Sequence, residues 1–85
     1  MEIGFSSNFR KQYKKANAKI KTAFNIRLKL FKDDPYSLVL NNHPLKGKYL
    51  GYRSINVTGD LRAVFKREAN LVIFVAIDSH SNLYG

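Results

Sequence analysis

Seven consecutive apolar residues, LVIFVAI at positions 71–77, constrain the fold of this chain more than any other stretch. The run is far shorter than the roughly 20 residues that a membrane-spanning helix needs. It is rich in β-branched and aromatic side chains, and it is apolar at every position rather than at every second one. This pattern is typical of a strand with two buried faces. We therefore predict a strand inside a sheet, covered on both sides.

The residues before this run predict an antiparallel meander. Residues 52–57 and 60–68 alternate between apolar and polar side chains. The Thr58-Gly59 step suits a hairpin turn, and residues 68–70 suit a second turn. The apolar positions fall on one predicted face: Ile55, Val57, Leu61, Ala63 and Phe65. The other predicted face is polar and basic and carries Tyr52, Ser54, Asn56, Arg62 and Lys66.

The N-terminal half predicts a strand over residues 1–5 and then two helices. Ser6 or Ser7 can cap the first helix, and residues 16–18 are a predicted break before the second. An apolar stripe at helical spacing runs from Ile20 to Phe31 and ends before Pro35. Residues 36–42 predict either a short strand or an apolar-anchored loop, and residues 43–51 predict a loop. With the helices covering the sheet, the predicted class is α+β, in a single domain over residues 1–85.

Charge and composition narrow the possible functions. Fifteen Lys and Arg residues against six Asp and Glu residues give a net charge of +9, which favours polyanions or an acidic partner protein. The absence of cysteine excludes disulfides, thiolate nucleophiles and Cys-based metal sites. Two histidines and six carboxylates make a metal or cofactor site unexpected. The N-terminus lacks the features of a signal peptide, so we expect a small soluble protein of a reducing compartment.

The loops at the edges of the polar face carry further residues suited to chemistry: His43, Lys46, Lys48, Asp60, His80 and Tyr84. His80 follows the end of the apolar strand, and an imidazole is the side chain best suited to proton transfer near neutral pH. The Arg62 guanidinium offers a planar fork for phosphate oxygens. An aromatic ring such as that of Tyr84 can stack on a nucleobase.

Each of these residues also has an ordinary structural explanation. His80 and Arg62 can be solvated, and His43 can pack within its turn. Asp60 can bond backbone amides of its own turn, and Tyr84 can be the last core residue. The helix lysines can simply form a solvated face.

The convergence of these groups on one face fits metal-independent cleavage of RNA by the neighbouring 2′-hydroxyl. That reaction needs a base for the hydroxyl proton, an acid for the leaving oxygen, and fixed positive charge around the phosphorane. DNA lacks the 2′-hydroxyl and is not a substrate for this chemistry.

Residues 43–68 and 71–85 together resemble the RelE/ParE superfamily of type II toxin–antitoxin toxins, in particular its RelE/StbE and YafQ-like branch. Residues 1–15 and the second helix, through residues 32–35, also look like the start of that family, so the resemblance covers essentially the whole chain. The resemblance implies two N-terminal helices packed on a four-stranded antiparallel sheet. It also implies a cytoplasmic, cofactor-independent endoribonuclease that inhibits translation by cleaving mRNA, commonly in the ribosomal A site. A cognate antitoxin would inhibit it in a hetero-oligomeric complex.

The resemblance also suggests roles for individual residues. His80 and Tyr84 match the histidine and the aromatic of the YafQ-like C-terminal motif, and His43 and Asp60 match a loop histidine and a hairpin carboxylate. Arg62 matches the strand arginine of RelE-type members. Two positions depart from the YafQ pattern: Asn56 stands where another catalytic histidine is usual, and Leu61 stands where an aromatic is usual.

We accordingly expect His80 to be the general acid, with Asp60 or His43 as the base or as the group that orients it. Arg62 and Lys46 would stabilise the phosphate, and Tyr84 would hold the nucleotide. The remaining expected substrate contacts are Lys48, Arg53 and Asn56.

Three alternatives stay open at the level of sequence. A ParE-like gyrase poison would share the fold without a nuclease site, and the set His43, Asp60 and His80 argues against it. A catalytically weak RNA-binding relic is compatible with Asn56. A purely structural basic domain accounts for the charge but not for the clustering on one face.

Overall fold

The fold is described from a computed structural model covering residues 1–84, in which three α-helices accompany one sheet of five strands. The elements in chain order are β1 (Glu2–Phe5), α1 (Ser7–Lys15), α2 (Ala18–Asp33), β2 (His43–Pro44), β3 (Arg53–Asn56), β4 (Leu61–Glu68), β5 (Leu71–Ser79) and α3 (His80–Tyr84). The strand order across the sheet is β1-β5-β4-β3-β2. The α+β class is thus confirmed.

The expected four-stranded antiparallel sheet is wrong in strand number and in direction. The strand β1 pairs parallel with β5, from Glu2 opposite Leu71 to Phe5 opposite Phe74. A two-residue strand, β2, adds a fifth strand inside the segment predicted to be a loop. After α1 and α2 the chain enters β2 at the edge of the sheet opposite β1, and it returns through β3 and β4 to β5, which lies beside β1 and runs parallel to it. Only β2, β3, β4 and β5 pair antiparallel.

The apolar run lies in β5, an interior strand between β1 and β4, as its composition predicts. The register shifts in the middle of this strand: Ala76 pairs with Val64, but Phe74 pairs with Phe65, so Val75 is an extra residue. Such a β-bulge places two successive side chains on nearly the same side. Both Val75 and Ala76 therefore face away from α1 and α2, while the residues on either side of them face these two helices.

The two N-terminal helices begin at side-chain caps. The hydroxyl of Ser6 accepts a hydrogen bond from the backbone N–H of Phe9 at 3.1 Å, and this resolves the choice between the two serines. The side chain of Asn17 accepts from the N–H of Ile20 at 2.9 Å, which marks the predicted break as the start of α2. Caps of this kind satisfy first-turn amides that have no partner within the helix.

A core of aromatic rings joins these helices to the sheet. Phe9 and Phe24 lie 5.1 Å apart between ring centroids, and Phe31 lies 5.0 Å from Phe65. The predicted inward positions of β3 and β4 belong to this core, including the fully buried Ile55 and Ala63. The residues 36–42 contribute a 3-10 turn, Leu38–Leu40, of which only Leu40 is buried. That segment is therefore an anchored loop rather than a strand.

The opposite face of the sheet is not the open polar surface that the alternation predicts. A second cluster covers part of it, formed by Leu45, Val64, Ala76 and Leu83 with the partly buried Tyr49, Tyr52, Val75 and Tyr84. Ser54 is fully buried beneath it. The cover comes from residues 45–52 and from α3, which supply apolar side chains where the sequence predicted solvated loops.

Candidate functional site

The end of β5 and the β3–β4 hairpin form one continuous edge of the molecule. The backbone N–H of His80 donates to the carbonyl oxygen of Asp60 at 3.0 Å, continuing the register in which Leu61 lies opposite Ser79. Both His80 and Asp60 are exposed. Two of the predicted catalytic residues are thereby neighbours, although they are 20 positions apart in the sequence.

A row of three polar residues crosses the sheet next to this edge. Asn56 lies opposite Arg62, and Arg62 lies opposite Asp78. Directly paired residues project their side chains to the same face, and this is the face that carries the second cluster. The row therefore lies on the same side of the sheet as α3. The side-chain oxygen of Asn56 is buried and has no hydrogen-bond partner among residues 1–84.

Arg62 directs part of its guanidinium toward its own hairpin. Its Nη1 donates to the carbonyl oxygens of Thr58, Gly59 and Leu61 at 3.1, 3.2 and 3.1 Å. Within the described residues its Nε and Nη2 make no hydrogen bond, so they keep donors free for an anion. The side chain is half-buried, and it holds a positive charge beside the hairpin.

The terminal helix α3 holds His80 against an aromatic ring. The His80 and Tyr84 rings lie 4.8 Å apart between centroids at 65°, in an edge-to-face arrangement. Tyr84 is not a free platform for a base: it packs on Tyr49, and its hydroxyl is buried without a partner in the part of the chain that the structure describes. Tyr84 therefore supports the His80 imidazole and does not offer an open ring surface on which a nucleobase could stack.

His43 lies on the same face, but farther from the hairpin edge. Its Nδ1 is 2.7 Å from the carbonyl oxygen of Asn41, and because a carbonyl only accepts, Nδ1 must carry the proton. In the neutral ring this leaves Nε2 as an acceptor. His43 pairs with Ser54 at the β2 edge of the sheet, so three strand spacings separate it from β5. That is about 14 Å at the usual spacing.

The predicted lysines lie on the loop that covers the second cluster. Lys46 and Lys48 are exposed, and Lys48 Nζ stands 5.4 Å from the centre of the Tyr49 ring. They add positive charge to the loop that covers this face of the sheet.

Arg53 is not brought together with the other candidates. It pairs with Phe65 and so projects to the face of the sheet that carries α1 and α2. There its Nε donates to Asn42 Oδ1 at 2.7 Å, and its guanidinium lies 5.6 Å from the centre of the Tyr36 ring. These contacts hold residues 36–42 in place and give Arg53 a structural role.

Sequence reasoning missed the residues that build α3. The hydroxyl of Ser79 accepts from the N–H of Asn82 at 3.2 Å, and Asp78 Oδ1 accepts from the N–H of Ser79 and from Asn82 Nδ2. A serine followed three positions later by a residue whose amide it caps is a helix-start signal. The five residues of α3 are too few to show a helical periodicity, so the pattern of the sequence does not predict this helix.

One exposed ion pair lies beside the second cluster. Lys66 Nζ and Glu68 Oε1 are 2.8 Å apart on β4. The hydrogen bond with Glu68 raises the pKa of Lys66, and the same bond from Lys66 lowers the pKa of Glu68. Within residues 1–84 no group of three or more His, Asp or Glu side chains is arranged to hold a metal ion, and no helix is long and apolar enough to cross a membrane.

Comparison with known proteins identifies the family. The profile of a family described as "Bacterial toxin of type II toxin-antitoxin system, YafQ" matches residues 1–85. The chain belongs to this YafQ toxin family. The resemblance noted from residues 43–85 is thereby confirmed at the level of the family. No curated protein sequence matches the chain.

Solved structures agree with this assignment to the YafQ family. The chain is similar to the crystal structure of YafQ from E. coli strain BL21(DE3), with 25% identity and a TM-score of 0.83 over 99% of this chain and 98% of that one. It is also similar to the E. coli DinJ-YafQ toxin-antitoxin complex, at 26% identity and a TM-score of 0.79 over 99% and 97% of the two chains. A YoeB/ParE toxin from Agrobacterium tumefaciens, at 20% identity, covers 94% of this chain and 99% of that one with a TM-score of 0.77, which supports the fold alone.

Proposed function

We propose that this YafQ-family toxin is an endoribonuclease that cleaves mRNA by attack of a 2′-hydroxyl on the adjacent phosphodiester. The observation that carries the proposal is the hydrogen bond from the His80 N–H to the Asp60 carbonyl oxygen. It brings an exposed imidazole next to a hairpin that holds an exposed carboxylate and a partly free guanidinium. An acid, a base and a fixed positive charge are the three groups that this reaction requires.

In this proposal His80 protonates the leaving 5′-oxygen, and Arg62 stabilises the charge on the phosphorane. The register favours Asp60 over His43 as the group that accepts or orients the 2′-hydroxyl proton. Asp60 adjoins His80, whereas His43 belongs to a strand three positions away in the sheet. Acid and base must both reach one phosphodiester by hydrogen bonds of about 3 Å.

The remaining groups bind and position the substrate. Lys46 and Lys48 attract the phosphate backbone from the rim of the site, and Asn56 offers an amide beside Arg62. Tyr84 supports the imidazole and bounds the space for the nucleotide. Arg53 is left out of this set, because its guanidinium bonds Asn42 on the other face.

We also propose that a cognate antitoxin binds and neutralises this protein; the solved E. coli DinJ-YafQ toxin-antitoxin complexes support the existence of such a partner. Nine of the fifteen basic residues lie in α1 and α2, against a single acidic residue in the two helices. A surface of this kind favours an acidic segment, which can stay disordered until it binds.

Mapping of transcript ends in cells tests the proposed function. The wild-type protein and the His80→Ala variant would be induced separately, and the 5′ ends of translated mRNAs would be compared. We expect new internal ends with the wild type and none with the variant, while antitoxin binding by the variant is kept. Growth arrest with intact transcripts and with DNA breaks would instead identify a gyrase poison and refute the nuclease.

A further inference from the structure

The helix that carries His80 cannot hold itself in place. The helix α3 has five residues, and an isolated helix of this length is not stable in water. The hydrogen bonds to Asp60, Ser79 and Asp78 fix its start. Its side chains are held by Leu83, which is 4% exposed and packs in the second cluster, and by Tyr84. The position of the imidazole therefore depends on the surface on which α3 rests.

A chain of edge-to-face rings connects that surface to the imidazole. Tyr84 lies 4.8 Å from His80 and 6.2 Å from Tyr49 between ring centroids, at 65° and 86°. Tyr49 lies in turn 5.9 Å from Tyr52 at 75°. Aromatic pairs at these separations and angles attract beyond the burial of their area.

The loop that carries Tyr49 is closed by backbone hydrogen bonds. The N–H of Leu45 donates to the Tyr52 carbonyl oxygen, and the N–H of Tyr52 donates to the Tyr49 carbonyl oxygen, both at 2.9 Å. Leu45 is itself buried in the second cluster. The loop hydrogen bonds therefore fix the position of Tyr49, whereas α3, which carries His80, is only five residues long.

We propose that Tyr49 is a positioning residue, which fixes the His80 imidazole over the hairpin by packing against Tyr84. The inference rests on the proposed role of His80 as the acid. The Tyr84 hydroxyl has no partner among residues 1–84, so ring contacts rather than a hydrogen bond orient that side chain. Lys48 lies over the Tyr49 ring at 5.4 Å, and this leaves the ring poorly placed to stack on a nucleobase.

Steady-state cleavage of an mRNA substrate, measured as kcat and KM, separates positioning from binding. The test variant is Tyr49→Leu, and Tyr49→Phe keeps the ring. Tyr36→Leu is the matched control, because Tyr36 is 62% exposed and contacts Arg53 on the other face. We expect Tyr49→Leu to lower kcat about 10- to 100-fold at constant KM, since small misplacements of a catalytic group have effects of this size. Tyr49→Phe and Tyr36→Leu should keep the wild-type kcat.

A second measurement reads the imidazole directly. The chain has two histidines, so the ring-proton NMR signals of His80 are assigned by comparison with His43→Gln. In the wild type we expect the Tyr84 ring, 4.8 Å away between centroids, to displace these signals from those of a solvated imidazole. In Tyr49→Leu they should move toward the solvated position, and in Tyr49→Phe they should stay. If Tyr49→Leu does not fold by circular dichroism, Tyr49→Met is judged by the same criteria.

Three results would overturn the inference: unchanged His80 signals in folded Tyr49→Leu, a raised KM with an unchanged kcat, or an equal loss of kcat in Tyr36→Leu. Absence of cleavage by the wild-type protein would refute the proposed function instead. In that event the NMR comparison alone decides whether Tyr49 positions the ring.

Discussion

The backbone N–H of His80 donates to the carbonyl oxygen of Asp60 at 3.0 Å, and this contact joins the terminal helix to the β3–β4 hairpin. Because it is made by the backbone, it does not depend on the side chain at either position. Variants at His80 or Asp60 can therefore remove a functional group and leave the arrangement of the site unchanged.

Arg62 should contribute to cleavage through the shape of its guanidinium as well as its charge. We expect Arg62→Ala to lower the single-turnover rate about 100-fold, the usual effect of removing one charge-stabilising donor. Arg62→Lys should recover only part of this, because an ammonium lacks the planar fork. Arg67→Ala is the control, since Arg67 is an exposed arginine on the same strand. Equal rates for Arg62→Ala and Arg67→Ala would contradict this role.

RNA affinity should fall steeply with salt. If binding neutralises about five phosphates of a single strand, log affinity should decrease with log salt with a slope near −3.5. Fluorescence anisotropy between about 50 and 200 mM salt measures this slope, with His80→Ala used to prevent cleavage. A slope near zero would exclude a phosphate-dominated interface.

The sequence predicts the elements that local patterns determine, but not the contacts between residues far apart in the chain. Local patterns identify α1, α2, the hairpin and β5, because caps, turn residues and periodicity act within a few positions of one another. The strand at residues 1–5 was predicted, but its parallel pairing with β5 leaves no local trace and was not. The two-residue strand β2 lies in a segment that was predicted to be a loop. The family assignment from residues 43–85 was correct, because it depends on the order of residue types rather than on their contacts.

The site was predicted less completely than the fold. Alternation correctly placed Asn56 and Arg62 on one face, but Arg53 was expected among the substrate contacts and instead lies on the opposite face. It did not reveal that Leu45, Tyr49 and Leu83 cover part of the polar face, because loop residues bury side chains only through tertiary packing. The sequence also does not predict the bulge at Val75, because a continuous apolar run has no apolar–polar alternation that a bulge could interrupt.

The cap of α1 should stabilise the fold without affecting the chemistry. Ser6 Oγ accepts from the Phe9 N–H and donates to the Val75 carbonyl oxygen at 3.2 Å, so it joins α1 to the bulge of β5. We expect Ser6→Ala to lower the free energy of unfolding by about 1–2 kcal/mol, as for other N-caps. Urea unfolding measures the change. Ser7→Ala, at the exposed neighbouring position, should be close to neutral, and an equal loss there would disprove the assignment of the cap.

The Lys66–Glu68 ion pair predicts a shifted titration of the Glu68 carboxyl group. The hydrogen bond that Glu68 accepts from Lys66 lowers the pKa of Glu68 in the folded protein. A lowered carboxyl pKa adds stability above the unfolded value, which is lost as the pH falls through the folded value. Both side chains are largely exposed, so the melting temperature should hardly respond. NMR titration should show a low Glu68 midpoint that returns to the ordinary value in Lys66→Met. An unchanged midpoint in that variant would show that Lys66 is not the cause.

The rate of cleavage without the His80 imidazole tests the central claim most directly. Purified wild-type protein and His80→Gln would be compared in single-turnover cleavage of a ribosome-bound mRNA, with Ser81→Ala as the neighbouring control. We expect His80→Gln to be slower by about 10²- to 10⁴-fold, the range of general acid–base catalysis, and Ser81→Ala to match the wild type. Cleavage by correctly folded His80→Gln at the wild-type rate would contradict the account.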